Sequence, residues 1–399
     1  MALYSIFNFN KFISMILIIK IHILISLLNF NIDSKECCDF TFTKEFSTTD
    51  SHLHTDGISE VIADHNENIY VSDSWLRKIL VFDEDGEFVR EIGQIGRGPG
   101  DFENVNSIRI NEGRLYALDS NLQRVTSFDL DSGNVIDTYS LPGLDNLRGT
   151  TGVFLSDDVV LLNYALPFQT GELHNERKGS FGLVNFRKSE TVEKLFSRIY
   201  HEALVITFQG GGFAAASRPY GKFYTVRPAS DGSFYWGYPD SFNIEKWNGS
   251  TLVQTYSGEK EPVKVTTGDI ENYYFPQLGV ESLDELRQRI RSRNVSDDFV
   301  RIAERYVWVT TEPGQMTEYF PVYDWFAVCD RNYLWIAFNT EDRDYYEIKR
   351  LDPDGNEAGR GKLSKGVRFF TINGTSAYGT EEDPETGEKN IVRYSITFN

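Results

Sequence analysis

Two arginines and two tyrosines stand close together in the segment RPYGKFYTVR, and their side chains suit ligand recognition. The four residues are Arg218, Tyr220, Tyr224 and Arg227. A guanidinium fits carboxylate or phosphate groups, and a tyrosine ring stacks on sugars or other rings. The sequence therefore predicts a ligand-binding segment near an opening of the fold, although a core or linking role explains the same residues.

Histidine, cysteine and carboxylate positions give no comparable indication of a metal or catalytic site. The six histidines, at positions 22, 52, 54, 65, 174 and 201, do not recur at a regular spacing. The three cysteines, Cys37, Cys38 and Cys329, lack the spacing of a zinc site. No catalytic residue and no metal ligand is assigned, and the cofactor stays unknown, since Ca²⁺ is an option that no motif indicates.

The overall composition limits the class of partner. A net charge of −19 repels nucleic-acid phosphates and anionic membrane surfaces, so nucleic acid is not an expected partner. A protein or carbohydrate ligand is compatible with this charge. Aromatic residues make up 14% of the chain, which favours strands, and 40% hydrophobic residues can form a large core.

The N-terminal segment, residues 1–38, is predicted to direct export. An apolar stretch over residues 12–32 follows Lys11 and precedes a polar exit, which is the pattern of a secretory signal. Lys20 and His22 interrupt the stretch and argue against a stable membrane span. A retained anchor and a start at Met15 are alternatives. Lipid attachment at Cys37 or Cys38 is a further option, which Glu36 disfavours because a lipobox needs a small residue there.

An internal repeat gives the strongest structural signal. Residues 69–92, IYVSDSWLRKILVFDEDGEFVREI, align with residues 115–138, LYALDSNLQRVTSFDLDSGNVIDT. Tyr70 aligns with Tyr116 and Asp73 with Asp119, an offset of 46 residues. Each copy contains short strands separated by polar turns, and the recurring aspartates indicate either turn capping or pairing with Lys78 and Arg124. Four such strands in one repeat are typical of a propeller blade, which must stack on other blades to bury its faces.

Weaker copies extend the pattern to the C-terminus. Residues 147–197 fit a third blade, and three later segments fit blades four, five and six. The last blade is one strand short, and residues 39–47, DFTFTKEFS, alternate as an outer strand would. The sequence therefore predicts an all-β, six-bladed β-propeller domain over residues 39–399, closed by N-to-C strand pairing, which removes exposed sheet edges.

One segment, residues 260–315, departs from the blade pattern. Ser282 and Glu285 form a capping box before a helical stretch, and Asp297 with Asp298 suits the first turn of another helix. Two or three helices are therefore predicted between blades four and five. They are interpreted either as a cover packed on the propeller or as a lid over one opening of the central channel.

The motifs Tyr70-Val71-Ser72-Asp73, Phe82-Asp83 and GRGPGDF at residues 96–102 resemble NHL repeats. They are still more similar to the 6-bladed β-propeller family common in Bacteroidetes and related bacteria. The resemblance implies an exported, periplasmic, outer-membrane or cell-surface protein, and many family members look like lipoproteins. The similarity is strong over residues 58–142 and topological beyond them, and it implies a fold more than a reaction.

The function predicted from these observations is that of a binding or scaffold module of the cell envelope rather than an enzyme. The alternative is a metal-assisted, lactonase-like hydrolase or lyase with its site at the central channel. The membrane is expected to be contacted only through the N-terminal segment. Ligand and oligomeric state are not specified by any motif.

Overall fold

Six antiparallel sheets form the computed structural model, which describes residues 39–48, 57–143, 149, 151–166, 174–207, 213–278, 280–292, 297–311, 316–384 and 386–399. Each sheet is one blade. The predicted signal segment and its two cysteines, Cys37 and Cys38, lie outside the described residues. No helix among the described residues is long and apolar enough to cross a membrane.

The strands are assigned to blades in chain order, with the inner strand of each blade first. Blade one contains β2 (Ile58–Ala63), β3 (Ile69–Asp73), β4 (Lys78–Phe82) and β5 (Phe88–Ile92); blade two contains β8 (Val105–Asn111), β9 (Arg114–Asp119), β10 (Arg124–Asp129) and β11 (Val135–Ser140). Between them lie β6 (Gln94–Ile95) and β7 (Asp101–Phe102), which pair in parallel. Blade three contains β12 (Thr151–Phe154), β13 (Val159–Ala165), β14 (His174–Asn185), β15 (Glu190–Thr207) and β16 (Phe213–Ser217).

The remaining blades follow the same scheme. Blade four contains β17 (Thr225–Pro228), β18 (Phe234–Gly237), β19 (Asn243–Asn248) and β20 (Thr251–Ser257); blade five contains β21 (Tyr323–Val328), β22 (Leu334–Phe338), β23 (Tyr345–Leu351) and β24 (Glu357–Ser364). Blade six contains β25 (Val367–Asn373), β26 (Ser376–Glu382), β27 (Lys389–Phe398) and β1 (Phe40–Thr48). The six inner strands contact one another in a closed ring around the channel.

The core is divided into layers, one between each pair of neighbouring blades. Alternate residues of a strand face opposite sides, so one strand supplies two layers. In β9, Leu115 and Ala117 pack against blade one, whereas Tyr116 and Leu118 pack against blade three. The same alternation around the ring explains the high aromatic content, because wide rings fill the space between twisted sheets.

The predicted N-to-C closure is confirmed. Strand β1 pairs antiparallel with β27, with Phe40 opposite Phe398, and forms the outer edge of blade six. Phe40 is buried and its ring centroid lies 4.8 Å from that of Trp335 in blade five. The first strand therefore closes the last blade and also seals that blade against its neighbour.

The helical insertion between blades four and five is also confirmed. Its described part contains α1 (Thr267–Leu278), α2 (Leu283–Ser292) and α3 (Asp297–Thr311). The capping box is formed, because Ser282 Oγ accepts the N–H of Glu285 and Glu285 Oε2 accepts the N–H of Glu281. Leu286 and Val307 are buried in a small core of the insertion's own, together with Phe320.

The third blade is larger than the sequence indicated. Its predicted limit of residue 197 is wrong, because β15 continues to Thr207 and β16 adds a fifth strand that ends at Ser217. β14 and β15 have 12 and 18 residues, and three register irregularities interrupt their pairing. These irregularities break the alternation on which the prediction depended.

Candidate functional site

The central channel opens, where the inner strands begin, into a cavity of about 540 Å³ that we call the mouth pocket. Ile58, Asp324 and Val367 mark the starts of three inner strands at this opening. The insertion contributes two residues of α1, Asp269 and Asn272. Aromatic and charged side chains converge here; they include Tyr220, Phe320, Arg343, Tyr346, Lys365 and Arg368.

An ion pair attaches the insertion to the rim of the mouth pocket. Arg343 donates from Nε to Asp269 Oδ1 at 2.8 Å and from Nη2 to Oδ2 at 3.1 Å. Tyr220 donates its hydroxyl to the Asp269 carbonyl oxygen at 2.7 Å. Burial alone would raise the pKa of Asp269, but hydrogen bonds from Arg343 and Thr266 outweigh burial and lower it. A bidentate contact of this kind fixes orientation as well as position.

Lys365 lies in the turn between blades five and six, at the mouth pocket. Its Nζ is 4.2 Å from the ring centroid of Tyr346 and 5.8 Å from that of Phe320, and it donates to the Asn339 side-chain oxygen. Burial lowers the pKa of Lys365 to about 8, despite the attraction of Asp324. This ammonium group therefore titrates much closer to neutral pH than an ordinary lysine does.

A second cavity, which we call the deep chamber, has a volume of about 620 Å³ and is lined by all six inner strands. Glu60, Arg109 and Arg227 project into it, and Phe370 lines both the deep chamber and the mouth pocket. The Cζ atoms of Arg227 and Arg368 lie 5.8 and 5.3 Å from the Phe370 ring centroid. Phe370 with its two arginines therefore stands where the two cavities meet.

The four sequence-predicted residues are divided between different environments. Tyr220 lines the mouth pocket and Arg227 the deep chamber. Tyr224 lies between blades three and four, where its hydroxyl is 2.9 Å from Thr151 Oγ1 and its ring contacts aromatic neighbours. Burial lowers the pKa of Arg218, which lies near Glu202 rather than at either cavity. Whether Tyr220 and Arg227 bind a ligand stays a prediction.

The residues that sequence reasoning missed come from distant parts of the chain. Asp269, Arg343, Lys365 and Arg368 belong to the insertion, to blade five and to blade six, and only ring closure brings them together. Two of the four share a local feature: Lys365 and Arg368 lie on either side of Val367, the first residue of the inner strand β25. Detecting that feature would have required the strand register.

Candidate metal ligands are dispersed. Among the residues that the structure describes, no three His, Cys, Asp or Glu side chains form a group that could hold a metal ion. His201 is stacked on Phe223 with a centroid distance of 3.9 Å. Burial, with the charge of Arg177, lowers its pKa to about 4, so the imidazole is neutral at pH 7.

The recurring aspartates cap turns, as the repeat indicated. Asp73 Oδ1 accepts the N–H groups of Trp75 and Leu76, both at 2.9 Å. Asp119 Oδ1 accepts those of Asn121 and Leu122 at the same distance. These carboxylates are therefore structural residues of the blades and not members of the candidate site.

Comparisons with known proteins agree with this architecture. Residues 23–201 match the model of a family described as 6-bladed beta-propeller. Among solved structures, a member of the DUF4221 family from Bacteroides vulgatus is 13% identical, with a TM-score of 0.50, and the match covers 91% of this chain and 99% of that one. No curated protein matches the sequence significantly.

Two further solved structures are more distant. A protein assigned as exported from Bacteroides fragilis is 13% identical over 92% of this chain and 97% of its own, with a TM-score of 0.49. A gluconolactonase from Xanthomonas campestris is 11% identical over 86% and 88%, with a TM-score of 0.42. Likeness at this level transfers no activity. The ring of six blades and the family match over residues 23–201 agree with the predicted fold: this chain is a six-bladed β-propeller.

Proposed function

We propose that this protein is an exported binding propeller of the cell envelope that takes a small polar ligand into the mouth pocket. The observation that carries the proposal is the convergence of four aromatic rings with Arg343 and Lys365 in one cavity at the end of the channel. Apolar walls with a few fixed polar groups are the usual composition of a ligand pocket. Export is supported by the apolar N-terminal segment over residues 12–32.

The arrangement of the insertion supports the same proposal. Asp269 of α1 is held to Arg343 of the blade-five rim, so one wall of the pocket is supplied by the insertion. A wall held by an ion pair and by the Tyr220 hydroxyl is already in place before a ligand arrives. Such preorganisation lowers the entropy cost of binding.

A pair of lysines tests the proposal. The purified protein is screened by thermal shift against mono- and oligosaccharides, sugar acids, amino acids and nucleosides, and each hit is measured by calorimetry. Lys365→Met, in the pocket, should weaken a hit about tenfold, since it removes a charge-assisted contact. The matched control is Lys362→Met, three residues away, with a side chain that is 76% exposed; it should bind as the wild type does.

Two outcomes contradict the proposal. One is the absence of any hit in the screen. The other is a ligand whose affinity is the same in the wild type and in the Lys365→Met variant.

A further inference from the structure

The deep chamber differs in charge from the rest of the molecule. The protein carries a net charge of −19, yet three guanidinium groups are concentrated around this chamber. Arg109 and Arg227 line it, and Arg368, which lines the adjoining mouth pocket, lies near Arg227 next to the Phe370 ring. Arginines of like charge repel one another in a partly buried site, so their proximity needs compensation.

The described residues compensate this charge only in part. Glu60 is the carboxylate next to Arg227, and its Oε2 already accepts the N–H of Ile108 at 2.7 Å. Arg109 forms an ion pair with Asp157, with 3.3 Å between Nη2 and Oδ1. Burial raises the pKa of Glu60, despite its hydrogen bonds and the nearby arginines, and even when ionised it supplies one negative charge beside several guanidinium groups.

Of the three arginines, Arg227 has the most buried donor atoms without an acceptor among the described residues. Its Nη1 donates to the Val226 carbonyl oxygen at 3.0 Å, while its Nε and Nη2 are buried without an acceptor among the described residues. The Nε atoms of Arg109 and Arg368 are in the same state. Burial, followed by the charge of Arg368, lowers the pKa of Arg227 to about 10. Buried guanidinium donors normally find acceptors, so these donors are available to an acceptor that the described residues do not supply.

We propose that the oxyanion group of a small molecule, a carboxylate, sulfate or phosphate, binds to Arg227 at the end of the deep chamber that meets the mouth pocket, where Arg368 approaches from the mouth-pocket side. This inference rests on the proposed function and names the chemical class of its ligand. A planar guanidinium donates two parallel hydrogen bonds to such a group. Phe370, Ile62 and Phe154 line the cavity and offer apolar surface to the remainder of the molecule. The volume of about 620 Å³ exceeds what a bare anion needs.

The test is calorimetric titration of the purified protein with sodium sulfate, sodium phosphate and sodium acetate, at an ionic strength held constant with sodium chloride. We expect at least one of the three to bind in preference to chloride. Binding of acetate alone would identify a carboxylate ligand, and binding of sulfate or phosphate a tetrahedral one. Arg227→Met and Arg368→Met should each weaken binding about tenfold or more.

The control is Arg97→Met, since the Arg97 side chain is 78% exposed, in the link between blades one and two; it should bind the anion as the wild type does. Glu60→Gln keeps all three arginines and removes the competing carboxylate, so its affinity should rise about threefold or more. That variant keeps the inference testable even if an arginine variant fails to fold.

Three results overturn the inference: no anion binds more tightly than chloride, the arginine variants bind like the wild type, or Glu60→Gln leaves the affinity unchanged. The proposed function survives each of them if a screened ligand still depends on Lys365. If instead the anion binds and no screened ligand depends on Lys365, the deep chamber stands and the mouth pocket is not the site.

Discussion

Blades one and two differ from blade five in how the inner strand is fastened at its start. Strand pairing places Asp73, Asp119 and Phe338 at corresponding positions, each opposite the first residue of an inner strand. The two aspartates cap the turn that follows, whereas the Phe338 ring packs between blades four and five. In blade five the next residue makes the polar contact: Asn339 donates a hydrogen bond to the Pro321 carbonyl oxygen at 2.8 Å. The start of an inner strand is therefore held by an aspartate carboxylate in blades one and two and by an asparagine amide in blade five.

The largest expected effect in this comparison is that of Asp119→Ala. The Asp119 carboxylate is buried and also accepts the N–H groups of Glu103 and Asn104 on Oδ2, at 2.7 and 3.2 Å. Removing an acceptor shared by four backbone donors should lower the free energy of unfolding by about 3 kcal/mol. Urea denaturation measures this loss. A loss below about 1 kcal/mol would show that the carboxylate is not what fastens blade two.

Asp73→Ala tests the corresponding turn of blade one, because the Asp73 carboxylate accepts the N–H groups of Trp75 and Leu76. We expect a loss of about 2 kcal/mol in the same denaturation experiment. The exposed Trp75 adds a local readout, since its fluorescence should report a loosened turn. A loss below about 1 kcal/mol would contradict the capping role of Asp73.

Asn339→Ala tests the replacement used in blade five. The variant loses the hydrogen bond to Pro321 and the acceptor of the Lys365 ammonium group, but it keeps the backbone bond from its N–H to the Val322 carbonyl oxygen. The free energy of unfolding should fall by about 1 kcal/mol. Thr340→Ala, at the neighbouring half-buried residue whose hydroxyl makes long contacts of 3.3 and 3.4 Å, serves as the control and should change stability much less. Equal losses in the two variants would refute the assignment.

The smallest expected effect concerns the pH dependence that Lys365 adds beside Asn339. Burial gives Lys365 a folded-state pKa of about 8, compared with an ordinary lysine value of 10.5 in the unfolded chain. Between these values the unfolded state binds more protons, so this group's contribution to stability rises with pH. The free energy of unfolding of the wild type relative to Lys365→Gln should rise by less than about 1 kcal/mol from pH 8 to 10. A fall across that window would contradict the lowered pKa.

The same comparison explains what the sequence could predict. The Asp-containing turn makes blades one and two recognisable as a repeat, since a capping carboxylate recurs at a fixed place in the chain. Blade five keeps the alternation of buried residues and loses the aspartate, so its fold was predictable from periodicity alone. The longer strands of blade three were predictable neither from a recurring aspartate nor from alternation, because bulges shift the register between β14 and β15.

The candidate site was less accessible to sequence reasoning than the fold. Arg227 and Tyr220 could be predicted because they lie close together in one segment. That segment leads into β17, however, and the side chain of Tyr224 packs between two blades instead of lining a cavity. Lys365 and Arg343 meet Asp269 only through the packing of the insertion on blade five. Local sequence carries no information about such long-range proximity.

The pairing of β1 with β27 has a consequence for how the molecule is made. The first strand that the structure describes, β1, has its partner in the last, so the ring cannot close until β27 has been synthesised. Until β27 is available, β1 has no strand partner, and an unpaired strand edge favours aggregation with other chains. Contacts this distant in sequence form slowly. We therefore expect the nascent chain to need protection by a chaperone and, once the ring is closed, to resist unfolding from either terminus.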